Sequence, residues 1–495
     1  MNLNRREFLR LAGIIAAGAS AGGACAPVYG RLTGAFQALG SMPAVDYSIF
    51  QALNRLTYGP NPASFKRAQE IGLAGWIEEQ LAPATIEDGA AELLLRPFEA
   101  LDMEANALEA KGREDVIGQL RAASLLRQVY SKRQLYERMV GFWTDHFNIS
   151  VDKGDCWFLK VVDDQSVVRR HAMGRFNDLL LASAHSPAML VYLDNQANKA
   201  GQPNENYARE VMELHTLGVD AGYSQADVME LARCLTGWTV KEHFWKGEFT
   251  FKDELHDQGH KRVLGVEIEP AGKAEAERVL AMLAGHPASA HHIASKLVQA
   301  FLVDDPSQQM PELVAKVAQV FEQTGGDVRS AMRRLLLDGL VPMAGQLPPK
   351  FKRPLNFVTS AVRAVGAETN GGPALQRWLE SMGQPAFAWP TPDGPPHDSL
   401  SWQTSLLPRW QFALALTRDD IDGTSIPLEA LTNSISYKDG RPLISEISRR
   451  LLGTGPQANL LAASGLVHRQ VGQQSDVFKA VMVAGLLASP QFQWR

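Results

Sequence analysis

From Asp46 onward, apolar residues recur almost everywhere at intervals of three and four. That spacing fits the 3.6-residue turn of an α-helix and not the alternation of a half-buried strand. Ala, Leu, Glu, Gln and Arg, all good helix formers, supply most of it. The chain must therefore bury helix stripes against one another, and the predicted fold is mainly α, a large multi-helix globular array. Val116–Tyr130 and Leu135–Phe147 read as amphipathic helices, as do Phe176–Ala184 and Pro187–Leu193, with His185 and Ser186 between them. A helix from Glu205 to Leu217 should start behind Asn204 as N-cap and stop at Gly218. Ser224 and Asp227 match a capping box with aspartate in the acidic position. Val228, Leu231, Ala232 and Leu235 then form a buried stripe that Gly237 ends. Further helices are expected over Lys273–Leu283, Ala288–Phe301, Pro311–Gln323 and Asp476–Ser489.

Two stretches break this rhythm. Trp238 to Pro270 alternates locally and carries two aromatic clusters, which predicts a small irregular or β-hairpin lobe near 238–270. Gly383 to Pro396 holds prolines at 385, 390, 392, 395 and 396, so it cannot be helical and should strap across a surface. The Pro/Lys-rich joint from Pro348 to Pro354 divides a helical core, 46–347, from a C-terminal helical subdomain, 348–495.

The start of the chain follows another logic. Arg5 and Arg6 precede Phe8 and Leu9, and a glycine-diluted apolar run extends from Leu11 to Ala24. This is the layout of a twin-arginine export signal over 1–26, with a linker over 27–45. The run, about fourteen residues, is shorter than the ~20 a lasting membrane helix needs. The expected location is periplasmic, with cleavage near Ala24-Cys25-Ala26 or lipid attachment at Cys25 as the two ways the signal can end. Membrane contact is expected only through that signal or lipid anchor, because no later apolar run approaches ~18 residues. With 49 basic and 54 acidic residues, a net charge of -5 gives no electrostatic footprint for nucleic acid. Beyond the signal, Cys156 and Cys234 are too few for a cysteine metal site and form either one disulfide or two buried thiols.

Several segments can carry chemistry. Projected at 100° per residue, Glu205, Asn206, Arg209, Glu210, Glu213 and Thr216 share one helix face, opposite Tyr207, Val211 and His215. Three carboxylates and an arginine without a lysine suit a cation site or an acid–base pair; the competing reading is a set of Glu205–Arg209–Glu213 ion pairs. His146 lies among Phe142, Trp143 and Phe147 beside Asp145, either as a desolvated ligand or base or as a core histidine. His256, Asp257 and His260 sit in a glycine-containing loop where ligands can converge. His292 and Lys296 fall one turn apart at an expected surface. Phe387, Trp389 and Trp402 either stack on sugar rings or pin the proline strap. The candidate assignment is therefore Glu210, Glu213, Arg209 and His146 as catalytic groups, and Glu205, Asn206 and Trp389 for substrate. His146, His215, His256 and Asp257 would hold a divalent metal. No Walker loop, G-x-S-x-G elbow or H-E-x-x-H motif occurs, which disfavours nucleotide chemistry and zincin-type proteolysis.

These segments together resemble the bacterial family of domain of unknown function (DUF) 1800. The resemblance rests on LNRLTYGP (Leu53–Pro60), ERMVGFWTDHFNIS (Glu137–Ser150) and MGRFNDLLLASAHSPAMLVYLDN (Met173–Asn195). Its most specific part is NENYAREVMELHTLGVDAGYSQADVMELARCLTGW (Asn204–Trp238), with LHDQGHKRVLG, the His286-Pro287 helix entry and MGQPAFAWPTPDG also fitting. It implies an exported, mainly helical protein and an exported partner resembling the alkaline-phosphatase superfamily, but no reaction. Thr144-Asp145 stands where His-Asn or similar is expected in many relatives, which weakens a metal site there. Two functions remain open: a periplasmic enzyme, with metal-assisted hydrolysis or a lyase reaction on an envelope or carbohydrate polymer, or a non-catalytic partner of another exported enzyme.

Overall fold

The computed structural model describes residues 46–219, 221–242, 247–427, 441–455, 467 and 475–495. The signal, the linker and Cys25 lie outside the described residues. Helices dominate, and the described sheets are three two-stranded antiparallel pairs, so the chain is mainly α. Two of those pairs make the lobe at 238–270: β1 (Trp238–Val240) with β2 (Phe249–Phe251), and β3 (Lys261–Val263) with β4 (Val266–Ile268).

Local chemistry sets the helix ends. The Ser224 backbone N–H donates to Asp227 Oδ2 at 2.8 Å and the Asp227 N–H returns to Ser224 Oγ at 3.3 Å, the reciprocal capping box. His286 enters its helix by accepting the Ala288 N–H on Nδ1 at 3.1 Å. Four helices position the site: α1 (Gln134–His146), α2 (Asn206–Glu210), α3 (Pro287–Phe301) and α4 (Pro354–Val365). The helix expected over Glu205–Leu217 changes type part-way. After α2 it widens into a π turn, Val211–Thr216, in which the Leu217 N–H bonds the Met212 carbonyl at 2.9 Å. The wider turn rotates everything beyond Glu210 away from the 100° projection.

The apolar side chains gather in two clusters. One runs through Leu53, Trp143, Phe176, Met212, Leu297 and Leu335; the other through Phe357, Leu379, Phe412, Val481 and Leu487. Helix Arg113–Tyr130 serves both, with Val116, Leu120 and Ala123 in the first and Leu125 and Val129 in the second. Cys156 and Cys234 are buried free thiols.

The strap, Gly383–Pro396, is irregular and pinned at several points. The Val151 N–H donates to the Phe387 carbonyl at 2.8 Å, and Asn148 Nδ2 donates to the Trp389 and Thr391 carbonyls at 3.0 and 2.8 Å. The Tyr192 hydroxyl donates to the Pro390 carbonyl at 2.9 Å. The strap thus crosses the C-terminal end of α1.

Candidate functional site

The acidic face of α2 is largely occupied with itself. Arg209 Nη2 lies 2.9 Å from Glu205 Oε2 and 2.8 Å from Gln225 Oε1, and Gln225 in turn donates to Glu205. Asn206 Nδ2 donates to the Leu193 carbonyl at 3.2 Å and is turned toward its own chain. Glu205, Asn206 and Arg209 therefore form an ion-pair and turn network. Glu210 is half-buried, and burial, with the like charge of Glu213 behind it, raises its pKa above the usual carboxylate range. Glu213 points to the Tyr223 hydroxyl. The charges acting most strongly on His146 are Lys296, His215 and His292; no glutamate of this segment is among them. Glu210 and Glu213 thus interact with each other and with Arg209, Asp393 and Tyr223, not with His146.

The π turn builds a histidine cluster. It ends with free carbonyls, as helix C-termini do, and two rings cap them. His146 Nε2 donates to the His215 carbonyl at 3.1 Å, and His292 Nε2 donates to the Leu214 carbonyl at 3.2 Å. A carbonyl only accepts, so both rings carry their proton on Nε2 and keep a lone pair on Nδ1. His146 Nδ1 and both ring nitrogens of His215 are buried without a protein partner. The His146 ring centroid lies 6.0 Å from that of His215 and 6.4 Å from that of His292. Burial, aided by the nearby Lys296 ammonium, pushes His215 down to about 3 and His292 down to about 4, so all three rings are neutral at pH 7. His292 and Lys296, expected at a surface, instead face inward. Burial brings Lys296 down to about 8, with Asp145 and Asp393 opposing the shift.

His256 and Asp257 belong elsewhere. The His256 ring nitrogens lie 2.8 Å from the Thr236 carbonyl and 3.1 Å from Glu275 Oε1, and Asp257 is clamped by Arg233 at 2.9 and 3.0 Å. These contacts stitch the hairpin lobe to its neighbours, and the structure does not bring His256 and Asp257 to His146 and His215. Among the described residues no group of three or more His, Cys, Asp or Glu side chains is placed to hold a metal ion.

Beside Phe142 and Asp145 of α1, where the two apolar clusters meet, lies a cavity of about 70 Å³. α1 lines it with Arg138, Phe142 and Asp145, the end of α3 with Phe301, the start of α4 with Arg353 and Asn356, and the strap with Trp389. His397 and Arg495 complete the wall. Arg353 Nη2 bonds Asp145 Oδ2 at 2.7 Å, and its Nη1 donates to His397 Nδ1 at 3.1 Å. Burial lifts the Asp145 carboxyl above its usual range, with Arg353 pulling the other way. Arg138 lies over the Tyr58 and Phe301 rings, 5.3 and 5.4 Å from their centroids. Trp389 contributes a buried, unpartnered Nε1–H, so of the three residues proposed for substrate it alone reaches the cavity. One signal was present in the sequence: Arg138 and Asp145 are seven residues apart on one helix and so share a stripe. Arg353, His397 and Arg495 join them only through the fold.

Comparison with known proteins adds one match. A family model described as "Protein of unknown function (DUF1800)" matches residues 51–494. No curated protein and no solved structure matches the chain.

Proposed function

The chain belongs to the DUF1800 family, and because that description assigns no activity, we propose one from the site: an exported enzyme using general acid–base chemistry at the strap-covered end of α1. The observation that supports this reading is a pair of groups pushed in opposite directions, Asp145 on the cavity wall and Lys296, whose charge acts on it. Asp145 is raised by burial toward holding a proton, while Lys296, which it attracts, is lowered by burial to about 8. Opposed shifts of this kind suit an acid and a base working together near neutral pH. Asp145, the carboxylate paired with Arg353, is the base, Lys296, an ammonium lowered to about 8, is the acid, and Trp389 and Arg353 orient the substrate. Glu210, beside Asp393 of the strap, shapes the approach. The reaction class is hydrolysis or elimination on an envelope or carbohydrate polymer, reached in the periplasm through the twin-arginine signal at Arg5 and Arg6.

The test incubates protein exported by its own signal with envelope polymer and with acidic and neutral polysaccharides, and follows newly released chain ends. Asp145→Asn and Lys296→Met are each expected to slow release by roughly 100-fold or more; Lys296→Met should melt within a few degrees of the parent, while Asp145→Asn, which leaves Arg353 without its counter-ion, should melt lower yet remain folded at the assay temperature. Undiminished release in both variants overturns the assignment. Release by neither parent nor variant overturns the enzyme reading in favour of a non-catalytic partner of another exported enzyme.

A further inference from the structure

The cavity wall carries more positive charge than its own carboxylates neutralise. Arg353 is paired with Asp145 at 2.7 Å, and Arg121, also on the wall, with Glu380 at 3.2 Å. Neither Arg138 nor Arg495 has a carboxylate within ion-pair distance among the described residues; the charges nearest Arg495 are other cations, Arg138, Arg55 and Arg353. Hydrogen bonding shows the same surplus. Arg138 Nε, Arg353 Nε, and Nε and Nη1 of Arg495 are buried with no acceptor, as is Trp389 Nε1. Donors without acceptors and cations without counter-ions are both costly away from water. Burial accordingly lowers Arg138 to about 10.

We propose that this cavity binds an oxyanion, the carboxylate, phosphate or sulfate group of an acidic substrate, held between Arg138 and Arg495. Guanidinium forks match such groups in a way that a neutral ligand cannot reproduce. The volume of about 70 Å³ admits one such group with a few water molecules or hydroxyls, since a single water needs only ~10–15 Å³ of such space. Asp164 Oδ1 and Gln128 Oε1 also belong to wall residues and lack partners, and these acceptors suit ligand hydroxyls. An acidic sugar unit supplies both kinds of group. This deepens the reading above and rests on it for calling the occupant a substrate.

Titration calorimetry on the full chain with inorganic phosphate, sulfate and acetate is the test. Saturable one-site binding of at least one anion is expected, weakened about tenfold or more by Arg138→Met. The variant should melt no lower than the parent, because it removes an unpaired charge. Arg495→Met should weaken the same anion and gives the same reading if Arg138→Met does not fold. No saturable heat with any of the three, or unchanged affinity in a folded variant, overturns the site. Anion binding without polymer turnover retires the catalytic reading alone, and turnover without anion binding retires this site alone.

Discussion

Gly394 shows how closely a single residue holds the site together. Its φ is +73°, which L side chains rarely adopt, and a Cβ built on it would collide with the Asp145 carbonyl oxygen. Glycine is thus required twice, once for the backbone and once for the approach of strap to helix. Pro395 follows at once and fixes its own φ, so the strap has little freedom to yield locally. Gly394→Ala is expected to destabilise the protein by about 1–3 kcal/mol, read as a lower urea midpoint. It should also loosen the Asn148 bonds to the Trp389 and Thr391 carbonyls and so expose the cavity, increasing acrylamide quenching of tryptophan. An unchanged midpoint and unchanged quenching would mean that the strap does not rest on Asp145. The five prolines made the strap legible as a non-helical segment, yet nothing in them announced that Gly394 was the point of contact. Contact is a property of two segments, and Asp145 lies some 250 residues away.

At the scale of elements, the helices were legible and the deviation that shapes the site was not. Phe176–Ala184 and Pro311–Gln323 fold over the spans their periodicity predicts, and the Ser224 capping box forms as its spacing requires. The π turn at Val211–Thr216 has no compositional mark, because one extra residue in a turn alters register and not residue type. A uniform helix places the glutamates opposite His215; the real one presents the Leu214 and His215 carbonyls to His292 and His146. Deleting Glu213, which is not fully buried, should let the segment relax to an α turn. That withdraws at least one of these carbonyls, leaving a buried imidazole donor unpaired at a cost of about 1–3 kcal/mol. The expected readout is a lower melting temperature together with a displaced His146 resonance in the imidazole NMR spectrum. A spectrum identical to the parent's would show that the wider turn does not hold the histidines. The arginine cavity was illegible for the same reason on a larger scale. Arg138 and Asp145 share a helix stripe, but Arg353, His397 and Arg495 come from segments that no periodicity links to it.

For the whole molecule, three histidines held neutral inside the fold make stability depend on acid. His215 is lowered to about 3 and His292 to about 4, and His146 well below its ordinary value, in each case chiefly by burial. In the unfolded chain all three take up protons near pH 6.5. Between about pH 4 and 6.5 the unfolded state therefore binds more protons than the folded one, so stability rises with pH across that window and falls on acidification. Each such histidine contributes at most about 1.4 kcal/mol per pH unit there. Asp145 works against them, since a carboxyl raised by burial binds its proton more readily in the folded state, but it is a single group against several imidazoles. The charges facing the cluster include Lys296, whose depressed value lies near 8 and leaves it protonated throughout the window. The urea midpoint should accordingly fall steeply from about pH 6.5 to pH 5. His215→Asn removes one titrating group and should flatten that slope only in part, because His397, likewise held well below its ordinary value by burial, titrates in the same direction; the flattening is expected even where the variant lowers stability at neutral pH. A midpoint that holds steady from pH 7 to pH 5 would require imidazoles that charge as easily inside the protein as outside, and the neutral cluster with its Nε2–H donors to two π-turn carbonyls could not then exist.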